Sequence, residues 1–264
     1  MLWLAAYAAV GALVGFLAGL LGIGGGMTLV PILAAIFTAQ GLAPDHSVHF
    51  ALGTGMASVM FTSSASVREH HRLGSVDWTI VRRLAPGMVA GALLSTLASG
   101  WVPQRSLALV FAAIVYGGAI QLLLGKKPHA ARTLPGPAGT LAVGLAIGII
   151  CGLVSAGGAF LTVPFMLFCG VVMHTAIGTA AAVGIPVAVI GTVGFVISGW
   201  RVQSLPALSL GFVFLPALVA LVVGSVLTAP IGARSAHRLP VATLKRVFAG
   251  LLIMLATKMV VSYW

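Results

Sequence analysis

Acid is the scarcest chemistry in this sequence: Asp45, Glu69 and Asp77 are the only carboxylate side chains among 264 residues. Charged residues of either sign make up 6% of the chain, against about 25% in an ordinary soluble domain. So little charge cannot cover a water-soluble globule. The 14 Lys and Arg do not read as a nucleic-acid interface either. Long apolar runs separate them, and they are neither gathered on one helix face nor interleaved with exposed aromatics. The two cysteines, Cys151 and Cys169, sit inside apolar runs without a CxxC pair, which excludes a disulfide framework or a zinc site. GxxxxGK, HExxH and GxSxG are all missing, so neither a P-loop ATPase, a zincin nor an α/β-hydrolase is expected. Gly22 to Met27 echoes a dinucleotide fingerprint, but it lies between apolar segments with no strand–helix unit around it. No enzyme activity, cofactor or metal is expected.

Apolar sequence is what the chain has in plenty: 60% of it is hydrophobic. Ten apolar segments can be drawn, at 2–22, 27–41, 46–66, 79–100, 105–124, 137–154, 160–173, 174–199, 205–231 and 241–263. Leucine-rich runs without alternation point to helices in a bilayer, not to a barrel. The expected fold is an all-α polytopic membrane protein. A full span needs about 20 residues, so segments 2 and 7 read as steep, broken or re-entrant. The opening MLWLAAYAAV lacks a basic leader and a cleavage site, and reads as a retained first span.

The chain repeats itself. Gly15, Gly19, Gly22, Gly24, Gly25, Val30 and Pro31 line up with Gly148, Gly152, Ser155, Gly157, Gly158, Val163 and Pro164. Further on, His49 and Gly53-Thr54 line up with His174 and Gly178-Thr179, then Trp78 with Trp200 and Pro86 with Pro216. The reading is an N-terminal membrane repeat over 1–124, a linker over 125–136 and a C-terminal repeat over 137–264. If all ten segments cross, eleven of the fourteen basic residues fall in loops 68–83, 125–132 and 234–246 on one side. The positive-inside rule makes that side the cytoplasm of a cell (inner) membrane and puts both termini outside. Trp78 then lies on the basic side and Trp200 on the other. The halves must cross in opposite senses, as two inverted five-segment repeats.

No predicted span interior carries a carboxylate, whereas cation sites want anionic oxygen ligands. A small anion is the better substrate. In each half a span ends in glycines (Gly24, Gly25 and Gly26; Gly157 and Gly158) and a short helix starts at once. Such a start offers free backbone N–H groups and a partial positive charge. Thr28 and Thr162 fall in the first turns of these helices, and Pro31 and Pro164 would kink them. Close helix packing is the competing explanation for the glycines. Hydroxyls at Thr54, Ser58, Ser155 and Thr179 are further candidate donors, or else bond their own helices. His49 and His174 are the groups able to carry a coupling proton, or are interfacial histidines with wet tips. The run Arg68 to Arg72 reads as a solvated loop and not a metal site. Cys151 reads as a small buried hydrophobe.

The duplicated Gly-rich pattern, the Gly-Thr that follows it, and Gly74-Ser-Val-Asp77-Trp78 after a basic loop resemble the sulfite exporter TauE/SafE family. The resemblance covers nearly the whole chain. It implies transport, usually export, of a small sulfur-containing anion such as sulfite or an organosulfonate, plausibly coupled to an ion gradient. It also implies that Gly22 to Pro31, Ser155 to Pro164 and the two Gly-Thr pairs form the core of the transport path. Alternative readings are a passive anion channel, a sulfur-handling membrane protein using Cys151, and a membrane subunit docking through residues 68–83.

Overall fold

The computed structural model describes residues 2–21, 25–124, 134–202, 205–235 and 241–263. Among them are ten helices and one small hairpin: α1 (Leu2–Leu21), α2 (Gly26–Ala39), α3 (Ser47–Arg72), α4 (Trp78–Ser99), α5 (Gln104–Leu124), α6 (Pro137–Leu153), α7 (Ala159–Phe168), α8 (Met173–Gly199), β1 (Ser209–Leu210), β2 (Val213–Phe214), α9 (Leu215–Ser235) and α10 (Val241–Tyr263). Windows in α1, α3, α4, α8 and α9 are long and apolar enough to cross a membrane. The chain is an all-α polytopic membrane protein. Gly24 and most of the 125–136 linker lie outside the described residues.

Most segments match a helix closely, with two differences. Segment 9 begins ten residues late as a helix, because residues 209–214 fold as an antiparallel hairpin pairing Ser209 with Phe214, turned at Gly211 with φ 53°. The run Arg68 to Arg72 is no solvated loop: α3 continues to Arg72, and Glu69 and His70 are buried.

Glycine decides which helices touch. Gly11, Gly15 and Gly19 on α1 lie against the backbone of Leu221, Ser225 and Ala229 on α9, so closely that a Cβ would overlap it. Gly144 and Gly148 on α6 meet Leu84 and Met88 of α4 in the same way, and Gly152 meets Ser95 and Ala92. In an apolar solvent, where burial gives no extra drive, such close approach is what holds helices together. Thr228 adds a cross-link, its hydroxyl donating to the Ala12 carbonyl at 2.7 Å. Both pairs run parallel. The central layer is α3 against α8, with α9 also on α3 and α4 also on α8, while α5 packs on α10.

The ends of the bundle are distinct. At one end Tyr7 donates to Gln40 at 3.0 Å, Ser47 and Tyr263 hydroxyls lie 2.8 Å apart, and Gln104 donates to the Pro44 carbonyl at 2.9 Å. That end therefore gathers the starts of α1, α3 and α5 with the end of α10. At the opposite end Arg234 of α9 meets Glu69 of α3 at 2.9 Å. Trp78 and Trp200 sit on different elements, the first opening α4 and the second following α8. Pro86 is nine residues into α4 but Pro216 is second in α9, so the sequence match at those prolines is not one of position.

Candidate functional site

The short helices α2 and α7 are built alike. Each is preceded by a glycine in the left-handed region, Gly25 at φ 78° and Gly158 at φ 92°, and neither start has a side-chain cap. A residue with a Cβ would be strained there. Pro31 and Pro164 each stand sixth in their helix and release the carbonyls of Met27 and Phe160 from the helical ladder. Gly25 lies beside Val14 and Ala18, several residues before the end of α1. α2 then returns to the end where Phe37 packs on Tyr7 with ring centroids 6.2 Å apart.

The two breaks touch. Gly26, the first residue of α2, abuts the Ser155 carbonyl and the Ala156 Cα of the segment leading into α7. Ser155 itself holds φ 50°, a costly conformation for a residue with a side chain. Its hydroxyl donates to the Leu52 carbonyl of α3 at 2.7 Å. Gly55, one turn on, faces Val30 and Ser155, and Gly184 of α8 faces the Gly157 carbonyl and the Ser63 hydroxyl. The start of α2 therefore meets the segment between α6 and α7, close to the crossing helices α3 and α8, and Gly25, Gly26, Ser155, Gly157 and Gly158 are all buried.

The threonines and the Gly-Thr pairs are already engaged. Thr28 donates to the Gly25 carbonyl at 2.8 Å, and the Thr162 hydroxyl lies 3.8 Å from Met88 Sδ. Thr54 accepts the backbone N–H of Phe214 at 3.0 Å, and Thr179 accepts that of Asp77 at 2.9 Å. Beside them, Gly53 lies against the Phe212 carbonyl and Gly178 against that of Ser75. Each pair is thus a socket for the connector that leads into a helix of the other half, α9 for the first and α4 for the second. Ser58 is buried on α3, and its carbonyl accepts from Thr62 at 3.0 Å.

The histidines part company. His49 is buried, with Nε2 at 3.1 Å from the carbonyls of both Ser99 and Val102, and its ring is 5.0 Å from Phe212. His174 is exposed. Cys151 is buried near Gly158 and Met88.

Sequence reasoning missed two features, one beside this centre and one at the basic-loop end. The hairpin places Phe212 and Phe214 among Phe37, Phe50 and His49, filling the end toward which α2 returns. The ion pair of Glu69 with Arg234 joins residues 165 apart in sequence. The one available signal was Glu69 itself, a lone acid beside a run of hydroxyls.

Glycine-locked parallel helix pairs around two short helices, with five helices among the described residues long and apolar enough to cross a bilayer, define a multi-pass membrane protein. Residues 7–259 match the family described as sulfite exporter TauE/SafE. The chain belongs to that family of membrane transporters. Among its relatives is a probable membrane transporter protein of Haemophilus influenzae, 35% identical over 95% of each chain. Another is the probable membrane transporter protein YdhB of Bacillus subtilis, 26% identical over 88% of this chain and 90% of its own. A Xylella fastidiosa protein of the same description is 29% identical over 70% and 69%. No solved structure matches the chain.

Proposed function

We propose that this protein is a secondary transporter that exports a small sulfur-containing anion, sulfite or an organosulfonate, by alternating access. The observation that carries this reading is that α2 and α7 both start without a side-chain cap, and that Gly26 at the start of α2 abuts Ser155-Ala156 in the segment leading to α7. Converging N–H groups and helix dipoles can replace an anion's hydration without a buried cation. The family to which the chain belongs is described by sulfite export, which favours a sulfur oxyanion over other anions of similar size.

Packing supports two inverted repeats, 1–124 and 137–264, joined by the linker. The pairing of α1 with α9 is matched by that of α6 with α4, and each Gly-Thr socket is matched by the other. Such halves place substrate near the midplane and rock against one another around it. In this reading Gly24, Gly25, Gly26, Thr28 and Pro31 form one side of the site and Ser155, Gly157, Gly158, Thr162 and Pro164 the other. Gly53, Thr54, Ser58, Gly178 and Thr179 fix its walls. His49 and His174 carry the coupling proton, the basic loops face the cytoplasm of an inner membrane, and both termini lie outside.

The test is flux into proteoliposomes of sulfite, sulfoacetate, taurine, thiosulfate, sulfate, lactate and chloride, with and without a pH gradient. A saturable flux of a sulfur oxyanion or sulfonate is expected. Silence across the panel from folded protein would overturn the reading.

A further inference from the structure

The interface of α3 with α9 is polar along its length toward the Glu69 end. Thr62 Oγ1 lies 3.0 Å from the Ser225 hydroxyl. One turn on, Ser66 is 2% exposed and its hydroxyl has no hydrogen-bond partner among the described residues. One turn further, Glu69 is 8% exposed, and its carboxylate takes Arg234 Nε at 2.9 Å, Arg234 Nη2 at 3.4 Å and Arg72 Nη1 at 3.5 Å. Residues 62, 66 and 69 share a helix face by their spacing, so the unpartnered Ser66 hydroxyl lies on the face that Glu69 occupies.

The equivalent seam of the other half, α8 against α4, has buried hydroxyls of its own at Ser95, Thr96 and Ser99, but no ion pair at the matching positions. By the alignment of Gly53-Thr54 with Gly178-Thr179, Thr62, Ser66 and Glu69 correspond to Val187, Gly191 and Gly194. Gly191 is filled by Met56, and Gly194 closes on Thr96. A buried hydroxyl without a partner is costly in a protein interior, and an ionisable residue such as Glu69 beside it is the kind of group that marks a pathway. The difference between the halves thus lies at Ser66 and Glu69, whose counterparts Gly191 and Gly194 have no side chain to offer.

The Glu69 carboxylate is an oxyanion held by an arginine fork, with a second arginine beside it. A sulfite or sulfonate offers the same pair of oxygens to the same fork. We infer that Arg234 and Arg72 form a mouth site for the transported oxyanion at the basic-loop end of the α3–α9 seam, and that the Glu69 carboxylate is its resident occupant. An arriving anion displaces Glu69 from Arg234, which unties α3 from α9. The anion then follows the seam past Ser66 and Thr62 toward the breaks. The inference rests on the proposed transport of a sulfur oxyanion.

The test is sulfite flux in proteoliposomes, with half-saturation measured separately from each side of the protein. Glu69→Gln removes the competing charge and is expected to lower half-saturating sulfite about tenfold from the basic-loop side. Arg234→Gln is expected to raise it about tenfold from that side, with the opposite side unchanged for both. A merely structural ion pair would make the two variants shift together, and such a joint shift, or no shift, overturns the inference while leaving transport intact. Should Glu69→Gln not assemble, Arg234→Lys keeps the charge and loses the fork. It is expected to raise half-saturation several-fold from the basic-loop side, and no change would overturn the inference. Silence of the wild-type protein toward sulfite, with flux of another anion or none, overturns the transport reading and the inference with it.

Discussion

The Thr179 hydroxyl accepts the backbone N–H of Asp77 at 2.9 Å, tying α8 to the residue that caps α4. Asp77 in turn caps α4 by accepting from Thr79 N at 2.9 Å and Ile80 N at 3.2 Å. Thr54 does the same for Phe214 ahead of α9. The two sockets sit toward opposite ends of the bundle.

Removing a socket oxygen leaves a backbone N–H without its partner, at a cost of about 1–3 kcal/mol. Thr54→Val and Thr179→Val should each lower the unfolding midpoint of the purified protein, and Thr→Ser at either position should restore most of it. Unchanged midpoints, with altered sulfite half-saturation, would make these threonines ligands and not sockets.

Gly26 has no room for a side chain against Ser155, whereas no described residue lies within 4 Å of a Cβ at Gly117 in α5. Gly26→Ala should push the breaks apart, cost about 1–3 kcal/mol as overpacking does, and cut flux at least tenfold. Gly117→Ala should transport like wild type. Equal flux from the two variants would remove the breaks from the transport path.

Proton coupling at the histidines is tested by replacing both with glutamine. The His49→Gln, His174→Gln protein should lose the dependence of flux on a pH gradient. His49→Gln alone should also weaken the fold, because the His49 ring bridges the carbonyls of Ser99 and Val102. A preserved pH dependence would take protons off both residues.

Cys151→Ser separates transport from thiol chemistry. The side chain is buried against Gly158 and Met88, and the variant should keep near-wild-type flux. Loss of flux from folded Cys151→Ser protein would favour a role for the thiol.

Hydropathy and glycine spacing carried most of the fold. The Gly-Thr pairs and the twin breaks were legible because each needs a glycine at a fixed place: Gly25 and Gly158 for positive φ, Gly53 and Gly178 for a carbonyl pressed against them. The hairpin at 209–214 was not legible, since its residues are as apolar as the helix that follows. Thr54 and Thr179 were readable as important but not as sockets, because their partners are backbone N–H groups more than 100 residues away. Glu69 was assigned to solvent because charge in sequence looks exposed, and only the approach of Arg234 makes its burial affordable.

The central claim is a carrier that presents a sulfur oxyanion to one side at a time, and sulfite counterflow in proteoliposomes tests it most directly. Loading unlabelled sulfite inside should accelerate uptake of labelled sulfite, and the uptake should saturate. Uptake that rises linearly with concentration and ignores sulfite on the far side would contradict the account.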